Sequence, residues 1–171
     1  MLCVIAKIDE ESRMKLYILQ KAAEDEFGIA PRYLHGHVTL LTYVGGDEEE
    51  LTERCSELLK GQEAFSFQYD RVSVLEESSI IVAEAVRCCA LEELHEKLLA
   101  VGSEFLNSWT GREQWTPHTT LLHDPKANLE EIAAVMKKDF RSFEAHVDRI
   151  EFSAVTDSGY EIRASVPLTE H

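Results

Sequence analysis

The sequence has 171 residues, of which 44% are hydrophobic and 29% are charged, and this composition excludes an intrinsically disordered chain. No stretch approaches the roughly 20 apolar residues of a membrane-spanning helix, so we expect no membrane contact. The net charge of −15 argues against binding to a long nucleic-acid duplex, which requires a basic surface. A small nucleotide or an RNA end stays open as a partner, because a local pocket can be positive on an acidic protein.

Hydrophobic periodicity predicts alternating strands and helices. Residues 2–8 alternate as a strand, and Asp9 then caps a helix that runs from about residue 10 to Phe27 and ends at Gly28. The other predicted strands are 37–44, 65–75, 79–86, 118–122, 144–155 and 160–168. The other predicted helices are 47–60, 91–109 and 129–140. This order of elements indicates the α+β class.

The two halves of the chain match each other. His37-Val38-Thr39-Leu40-Leu41 corresponds to His118-Thr119-Thr120-Leu121-Leu122, and a predicted acid-rich helix follows each. An Asp-Arg pair falls 33 residues after the first histidine, at Asp70, and 30 residues after the second, at Asp148. We therefore predict one bilobal domain over residues 1–171, duplicated from repeat halves of about 1–87 and 88–171.

The two repeated motifs carry the chemistry. Residues i and i+2 of a strand face the same way, so His37 lies beside Thr39 and His118 beside Thr120. With twofold symmetry, both pairs would line one cleft from opposite walls. One imidazole can then deprotonate a nucleophile while the other protonates the leaving oxygen of a phosphate ester. The threonine hydroxyls would hold the non-bridging oxygens, and this chemistry requires no metal or cofactor.

A single His-x-Thr-apolar pattern is more often structural than catalytic. Two such patterns among the seven histidines arise by chance about 1% of the time. Since they also stand at matching points of a repeat, we prefer the catalytic interpretation.

These motifs, with Pro117 before the second histidine and Gly36 before the first, resemble the paired signatures of the two-histidine phosphoesterase superfamily. The superfamily includes 2′–5′ RNA ligase-like proteins and cyclic nucleotide phosphodiesterases. Many members carry proline where this chain has Gly36. The resemblance covers nearly the whole chain and implies a two-lobed α+β fold, with antiparallel-rich sheets around a central cleft and helices outside. It also implies a hydrolase acting on a 2′,3′-cyclic or 2′–5′ phosphodiester.

Further residues are candidates for substrate contacts. Arg112 and Arg32 lie in the loops that lead into the two motifs, and guanidinium groups suit phosphates. Tyr43 shares the strand alternation of His37 and Thr39, so we prefer it to Trp115 for stacking on a base.

The other histidines have weaker predicted roles. His35 is a candidate for substrate contact or for a surface loop, and His123 is predicted to face away from His118. His95 is expected to be solvated. A zinc site from His35, His37, His118 and His123 is an alternative, although no cysteine or carboxylate stands at a metal-ligand spacing.

The sequence leaves alternatives to catalysis open. The same fold can serve as a non-catalytic nucleotide-binding module, and the acidic surface can serve protein interaction. The opening residues meet charge at once, unlike a signal peptide, so we expect a cytoplasmic protein. We also expect it to be a monomer.

Overall fold

A computed structural model of the chain describes residues 1–29, 36–111, 115–156 and 159–170. The strands of this part are β1 (Leu2–Ile8), β2 (His37–Tyr43), β3 (Phe65–Leu75), β4 (Ile80–Ala85), β5 (His118–His123), β6 (Phe143–Thr156) and β7 (Gly159–Pro167). The helices are α1 (Glu10–Phe27), α2 (Glu48–Leu58), α3 (Cys89–Leu99) and α4 (Leu129–Asp139). The α+β class is confirmed.

The strands form one antiparallel sheet with an approximate twofold axis. Their order is β2-β1-β6-β3-β4-β5, and β7 also pairs with β6. In the central pair, Phe67 of β3 lies opposite Ala145 of β6, and the residues on either side pair symmetrically about this point. The axis therefore relates a first arm (β2, β1, β6 and β7) to a second arm (β5, β4 and β3), as a two-lobed fold requires.

The last strand of each predicted half takes a different place in the sheet. β4 pairs with β3 and β5, so it stands beside the second motif strand as β1 stands beside the first. β7 pairs only with β6 among the described strands. The last strands of the two predicted halves are therefore not equivalent, because one lies inside the sheet and the other at its edge. The duplication of the chain stays a prediction.

The first motif strand contains a β-bulge. Thr39 lies opposite Ile5 of β1, but Leu41 lies opposite the adjacent Val4, so Leu40 is an inserted residue. An inserted residue reverses the alternation of side chains beyond it. Residues of β2 after Leu40 therefore face the side opposite to the one that a simple period of two predicts.

The second motif strand contains the equivalent bulge. Thr120 lies opposite Val82 of β4 and Leu122 lies opposite Ile81, so Leu121 is the inserted residue. The carbonyl oxygen of Leu121 accepts a hydrogen bond of 2.9 Å from the buried side chain of Gln20 in α1. A helix of the first half of the chain thus satisfies a backbone group that the bulge removes from regular pairing.

The predicted helix 91–109 is shorter in the structure. α3 ends at Leu99, and two 3-10 turns follow at Ser103–Phe105 and Ser108–Thr110. Gly102 has a φ of 61°, which a helix cannot accommodate and which favours glycine. The hydrophobic spacing nevertheless continues past the end of α3, through Val101, which is buried, and Phe105, which packs against the core.

The core lies between one face of the sheet and the helices. Along β1, Leu2, Val4 and Ala6 are fully buried and belong to the same cluster as Leu16 of α1 and Leu94 of α3. The alternate residues of β1 therefore face away from the helices, toward the site. No helix in the described ranges is long and apolar enough to cross a membrane.

Candidate active site

The outer edge of β2 is hydrogen-bonded to the segment that leads into β5. The Thr119 hydroxyl donates to the carbonyl oxygen of His37 over 2.7 Å, and the indole Nε1 of Trp115 donates to that of Thr39 over 2.9 Å. Further along, the amide of Asn107 donates to the carbonyl oxygen of Thr42 over 2.8 Å. We call this set of contacts the seam. It holds the second motif directly against the first.

Thr119 is the centre of a longer hydrogen-bond chain. The Thr119 hydroxyl uses its proton to donate to the carbonyl oxygen of His37. In the contact between the Tyr69 and Thr119 hydroxyls, Tyr69 must therefore be the donor. Tyr69 belongs to β3 and is fully buried, and its burial raises the pKa of the phenol. The chain therefore joins β3, β5 and β2 through neutral, buried hydroxyl groups.

Three adjoining cavities lie along the cleft, the first two between the arms and the third beside the first arm. The Trp109 cavity, of about 470 Å³, is lined among others by Thr39, Val74, Leu75, Ile80, Trp109 and His118. The threonine cavity, of about 250 Å³, is lined among others by His37, Thr39, Thr120, His123 and Tyr160. The Lys7 cavity, of about 410 Å³, is lined among others by Ile5, Lys7, Arg13, His37, Glu151 and Tyr160. Shared walls connect all three, and the motif residues stand at the middle.

His118 has a defined tautomer and a shifted pKa. Its Nδ1 lies 2.7 Å from the carbonyl oxygen of Thr116, so Nδ1 carries the proton and donates it. The neutral ring then presents Nε2 for proton exchange. Burial lowers the pKa of His118, and the backbone contact and the nearby Glu84 carboxylate oppose this shift only in part. The imidazole is therefore mostly neutral at pH 7.

Glu84 lies opposite His118 in the β4·β5 pair. Its carboxylate accepts a hydrogen bond of 2.9 Å from Arg71 Nε and another from the hydroxyl of Ser73. Chiefly through Arg71, these contacts lower the pKa of Glu84. Glu84 is therefore a fixed negative charge beside His118.

His37 has a different neighbourhood. Its ring packs edge-on against Tyr160 of β7, with ring centroids 5.7 Å apart. Lys7 lies opposite His37 in the β1·β2 pair, at the position that Glu84 takes in the other arm. The two histidines thus have equivalent backbone positions but cross-strand neighbours of opposite charge.

The bulge brings His123 to the cleft, so the prediction that it faces away from His118 is wrong. His123 lies opposite Ile80, whereas Thr120 lies opposite Val82, and residues 80 and 82 share one face of β4. His123 accordingly lines the threonine cavity. The pair of adjacent leucines at 121 and 122, both buried, is the sequence signal of the bulge.

The bulge of β2 turns Tyr43 away from the site, so the predicted role of Tyr43 in substrate binding is wrong. Tyr43 lies beyond the bulge of β2 and is only 1% exposed. Its hydroxyl donates to the carbonyl oxygen of Val101 over 2.8 Å. Tyr43 is a core residue that attaches β2 to the end of α3.

Trp115 is a core residue rather than a stacking platform. It is 3% exposed and stacks on His95, with ring centroids 3.9 Å apart. His95 is buried too, and its Nε2 donates to the carbonyl oxygen of Thr110 over 2.9 Å, so the prediction of a solvated His95 is wrong. The exposed aromatic ring of this region is Trp109, which sequence reasoning missed because it was placed on a helix.

Three predicted candidates, Arg32, His35 and Arg112, lie outside the described residues. Gly36, which precedes the first motif, is described. A Cβ atom at this position would lie 2.8 Å from Cδ1 of Ile8 and 3.3 Å from Cγ of Arg13. The small residue therefore fits a close approach of the chain to β1 and α1.

The described ranges contain no group of three or more histidine, cysteine, aspartate or glutamate side chains placed to hold a metal ion. Of the histidines in the described ranges, His37, His118 and His123 line the cleft, where they stand among threonines.

Comparison with known proteins identifies the family. A sequence profile of the 2′–5′ RNA ligase superfamily matches residues 17–158. The chain therefore belongs to this superfamily of two-histidine phosphoesterases, which confirms the resemblance of its motifs. No curated protein sequence matches the chain.

Solved structures share the fold. TT0787 of Thermus thermophilus is 20% identical, with a TM-score of 0.74 over 98% of this chain and 97% of its own. E. coli LigT in complex with NADP⁺ is 17% identical, with a TM-score of 0.66 over 98% and 96% of the two chains. Usb1 of Kluyveromyces marxianus is 10% identical, with a TM-score of 0.51 over 98% and 97%.

Loss of the Thr119 hydroxyl should destabilise the fold. Thr119→Val keeps the shape of the side chain but leaves the His37 carbonyl and the Tyr69 hydroxyl without this partner, at a cost of about 1–3 kcal/mol. Thr119→Ser keeps the hydroxyl and is the matched control. The measurement is the free energy of unfolding in urea, and equal stabilities of Thr119→Val and the wild type would contradict the role of the seam.

The pKa of His118 should lie below the ordinary value of about 6.5. Glu84→Gln should lower it further, because the glutamate charge favours the protonated ring. NMR titration of the imidazole nitrogens measures both values and the Nδ1–H tautomer. Glu144→Gln, on the exposed part of β6, is the control. An unchanged or raised pKa in Glu84→Gln would refute this account of the electrostatics.

Proposed function

We propose that the protein is a hydrolase that cleaves a phosphodiester at a ribose 2′ or 3′ oxygen, in a 2′,3′-cyclic phosphate or a 2′–5′ linkage. The observation that carries the proposal is the meeting of the two His-x-Thr motifs in one cleft. His118 and Thr39, from different arms, line one cavity, and His37 and Thr120 line the adjoining one. A phosphate between the arms would meet one imidazole on each side.

The proposed division of labour assigns the base to His118 and the acid to His37. The lowered pKa and the Nδ1–H tautomer of His118 leave Nε2 ready to take a proton from water. His37, with the opposite role, donates a proton to the leaving oxygen. His118 thus gains a proton from water as His37 loses one to the leaving oxygen. Proton exchange with solvent then restores the starting protonation state of both rings.

Thr39 and Thr120 are proposed to bind the non-bridging oxygens. Both are half-buried in the threonine cavity, where a hydroxyl donor gains strength from the exclusion of water. Their backbones are held by strand pairing, with Thr39 opposite Ile5 and Thr120 opposite Val82, and the Thr39 carbonyl oxygen also accepts a hydrogen bond from Trp115.

Solved relatives support a nucleotide substrate. Crystal structures of E. coli LigT contain ATP, NADP⁺, 3′-AMP and phosphate. A module that only binds nucleotides on this fold is the alternative. Turnover separates the two, since such a module would bind the same nucleotides without cleaving them.

Replacing either histidine should abolish most of the activity. His37→Ala and His118→Ala are each expected to lower kcat/KM by on the order of 10²–10⁴, the usual contribution of a positioned acid or base. Thr39→Ala and Thr120→Ala should be milder. The measurement is steady-state hydrolysis of nucleoside 2′,3′-cyclic phosphates and 2′–5′-linked dinucleotides from pH 5 to 9.

The pH profile of kcat/KM should be bell-shaped. A base must be deprotonated, so activity should rise with pH through its pKa, and the low pKa of His118 places this acidic limb below about 6.5. His146→Ala, which removes a surface histidine of β6, is the matched control. A folded His37→Ala or His118→Ala variant with wild-type turnover would rule out the two-histidine mechanism.

Activity should survive exhaustive chelation, because two imidazoles replace the metal activation of water. The assay is hydrolysis after dialysis against EDTA, with and without added zinc or manganese. Loss of activity on chelation and its rescue by metal would favour the zinc interpretation instead.

A further inference from the structure

The cleft extends beyond the motif residues in two directions. The threonine cavity shares Thr39 and Ile80 with the Trp109 cavity, and it shares His37 and Tyr160 with the Lys7 cavity. The proposed reaction centre therefore has a compartment of more than about 400 Å³ on each side. A mononucleoside cyclic phosphate needs only one such compartment beside the reaction centre.

We propose that the Lys7 cavity is a subsite for a second nucleotide and that the preferred substrate is a linear phosphodiester joining two nucleosides. This inference rests on the function proposed above. The nucleoside that keeps the scissile phosphate lies in the Trp109 cavity. The leaving nucleoside lies in the Lys7 cavity, and a phosphate that it carries meets Lys7 and Arg13.

The two compartments differ in chemistry. The Trp109 cavity has a largely apolar wall of Val74, Leu75 and Ile80, and Trp109 is 55% exposed, so it offers a ring face to a base. The Lys7 cavity is lined by two cationic side chains, Lys7 and Arg13, and by the two carboxylates that pair with them, Glu151 and Glu10. A base fits the first compartment, and a phosphate fits the second.

The cations of the Lys7 cavity are held in place by carboxylates. Lys7 Nζ lies 3.3 Å from Glu151, and Arg13 Nε lies 2.8 Å from Glu10. An ammonium has three N–H donors and a guanidinium has five, so one carboxylate each leaves donors for a phosphate. The ion pairs orient both cations before the ligand arrives.

Residues related by the approximate twofold axis carry opposite charges on the two sides of the cleft. Lys7 lies opposite His37, and Glu84 takes the equivalent position opposite His118. Lys7 therefore offers N–H donors to an additional phosphate on the His37 side, whereas the equivalent residue on the His118 side is a carboxylate. This difference favours one direction of substrate binding.

β7 provides a wall that the second arm lacks in the described residues. Its Tyr160 and Ile162 line the Lys7 cavity and are 38% and 49% exposed. Exposed apolar surface of this kind beside two cations fits a nucleoside, whose base covers the apolar part while its phosphate contacts the charges.

In this arrangement, water cleaves the bond between phosphorus and the oxygen of the leaving nucleoside. Water attacks phosphorus, and its proton passes to His118. The bond from phosphorus to the oxygen of the leaving nucleoside breaks, and that oxygen takes a proton from His37. The products are a nucleoside monophosphate in the Trp109 cavity and a nucleoside, with any phosphate of its own, in the Lys7 cavity.

The test compares adenosine 2′,3′-cyclic phosphate with a 2′–5′-linked adenylate dimer that carries a terminal phosphate on the leaving nucleoside. In the wild type, kcat/KM should be higher for the dimer. In Lys7→Met and in Arg13→Met, the ratio of kcat/KM for the dimer to that for the cyclic phosphate should fall on the order of tenfold, because a charge-assisted contact is lost.

Lys15→Met is the matched control, since Lys15 is about as exposed as Lys7 and is also ion-paired, but lies outside the three cavities. It should keep the wild-type ratio. A ratio unchanged in both Lys7→Met and Arg13→Met overturns the subsite, even if both substrates are cleaved.

Failure of the proposed function gives a different result. If the wild type cleaves neither substrate, the hydrolase assignment is wrong, and calorimetric binding of the same dimer then decides the subsite. Weaker binding to Lys7→Met than to Lys15→Met supports it. Equal affinities for these two variants, or no binding to the wild type, overturn it.

Discussion

The geometry of the cleft depends on the hydrogen bonds that close the outer edge of β2. An edge strand exposes backbone groups that must find partners, and a buried carbonyl without one costs about 1–3 kcal/mol. Here the partners are the amide of Asn107 and the side chains of Trp115 and Thr119, rather than the backbone of another strand. The same contacts that satisfy the edge bring His118 to the strand of His37. The hydrogen bonds that satisfy the edge of β2 are therefore the same ones that assemble the site.

The backbone of the cleft is approximately symmetric, whereas the side chains beside the two histidines differ. The repeated strand order and the paired bulges place the two histidines at equivalent backbone positions. Side chains then make the two positions different, with Lys7 opposite one ring and Glu84 opposite the other. A symmetric scaffold explains how two similar groups reach one phosphate. The asymmetric charges explain how such groups can act in opposite senses.

Much of the fold could be predicted from local patterns in the sequence. Alternation gave the bounds of β1 and β3, and capping residues gave α1, because these signals depend on neighbouring residues only. The two motifs also indicated where the site lies. The end of α3 was missed because the hydrophobic spacing continues past Gly102, although the backbone there turns out of the helix.

The faces of the motif strands could not be predicted by counting alone. One inserted leucine in each strand exchanges the two faces, so Tyr43 joins the core and His123 joins the cleft. The roles of Thr119 and Trp115 were also out of reach, since their partners lie 82 and 76 residues away in the chain. Such contacts follow from the folded sheet and leave no periodic signal.

The length of β6 has a mechanical consequence. This strand has 14 residues, pairing with β3 of the second arm near its start and with β1 and β7 of its own arm further along, so it connects the two arms directly. A hinge between the arms would have to break the hydrogen bonds between β6 and β3. The two walls of the cleft are therefore parts of one sheet, and the register of that sheet sets the positions of the two imidazoles. Ligands gain selectivity from the residues at the two ends of the cleft.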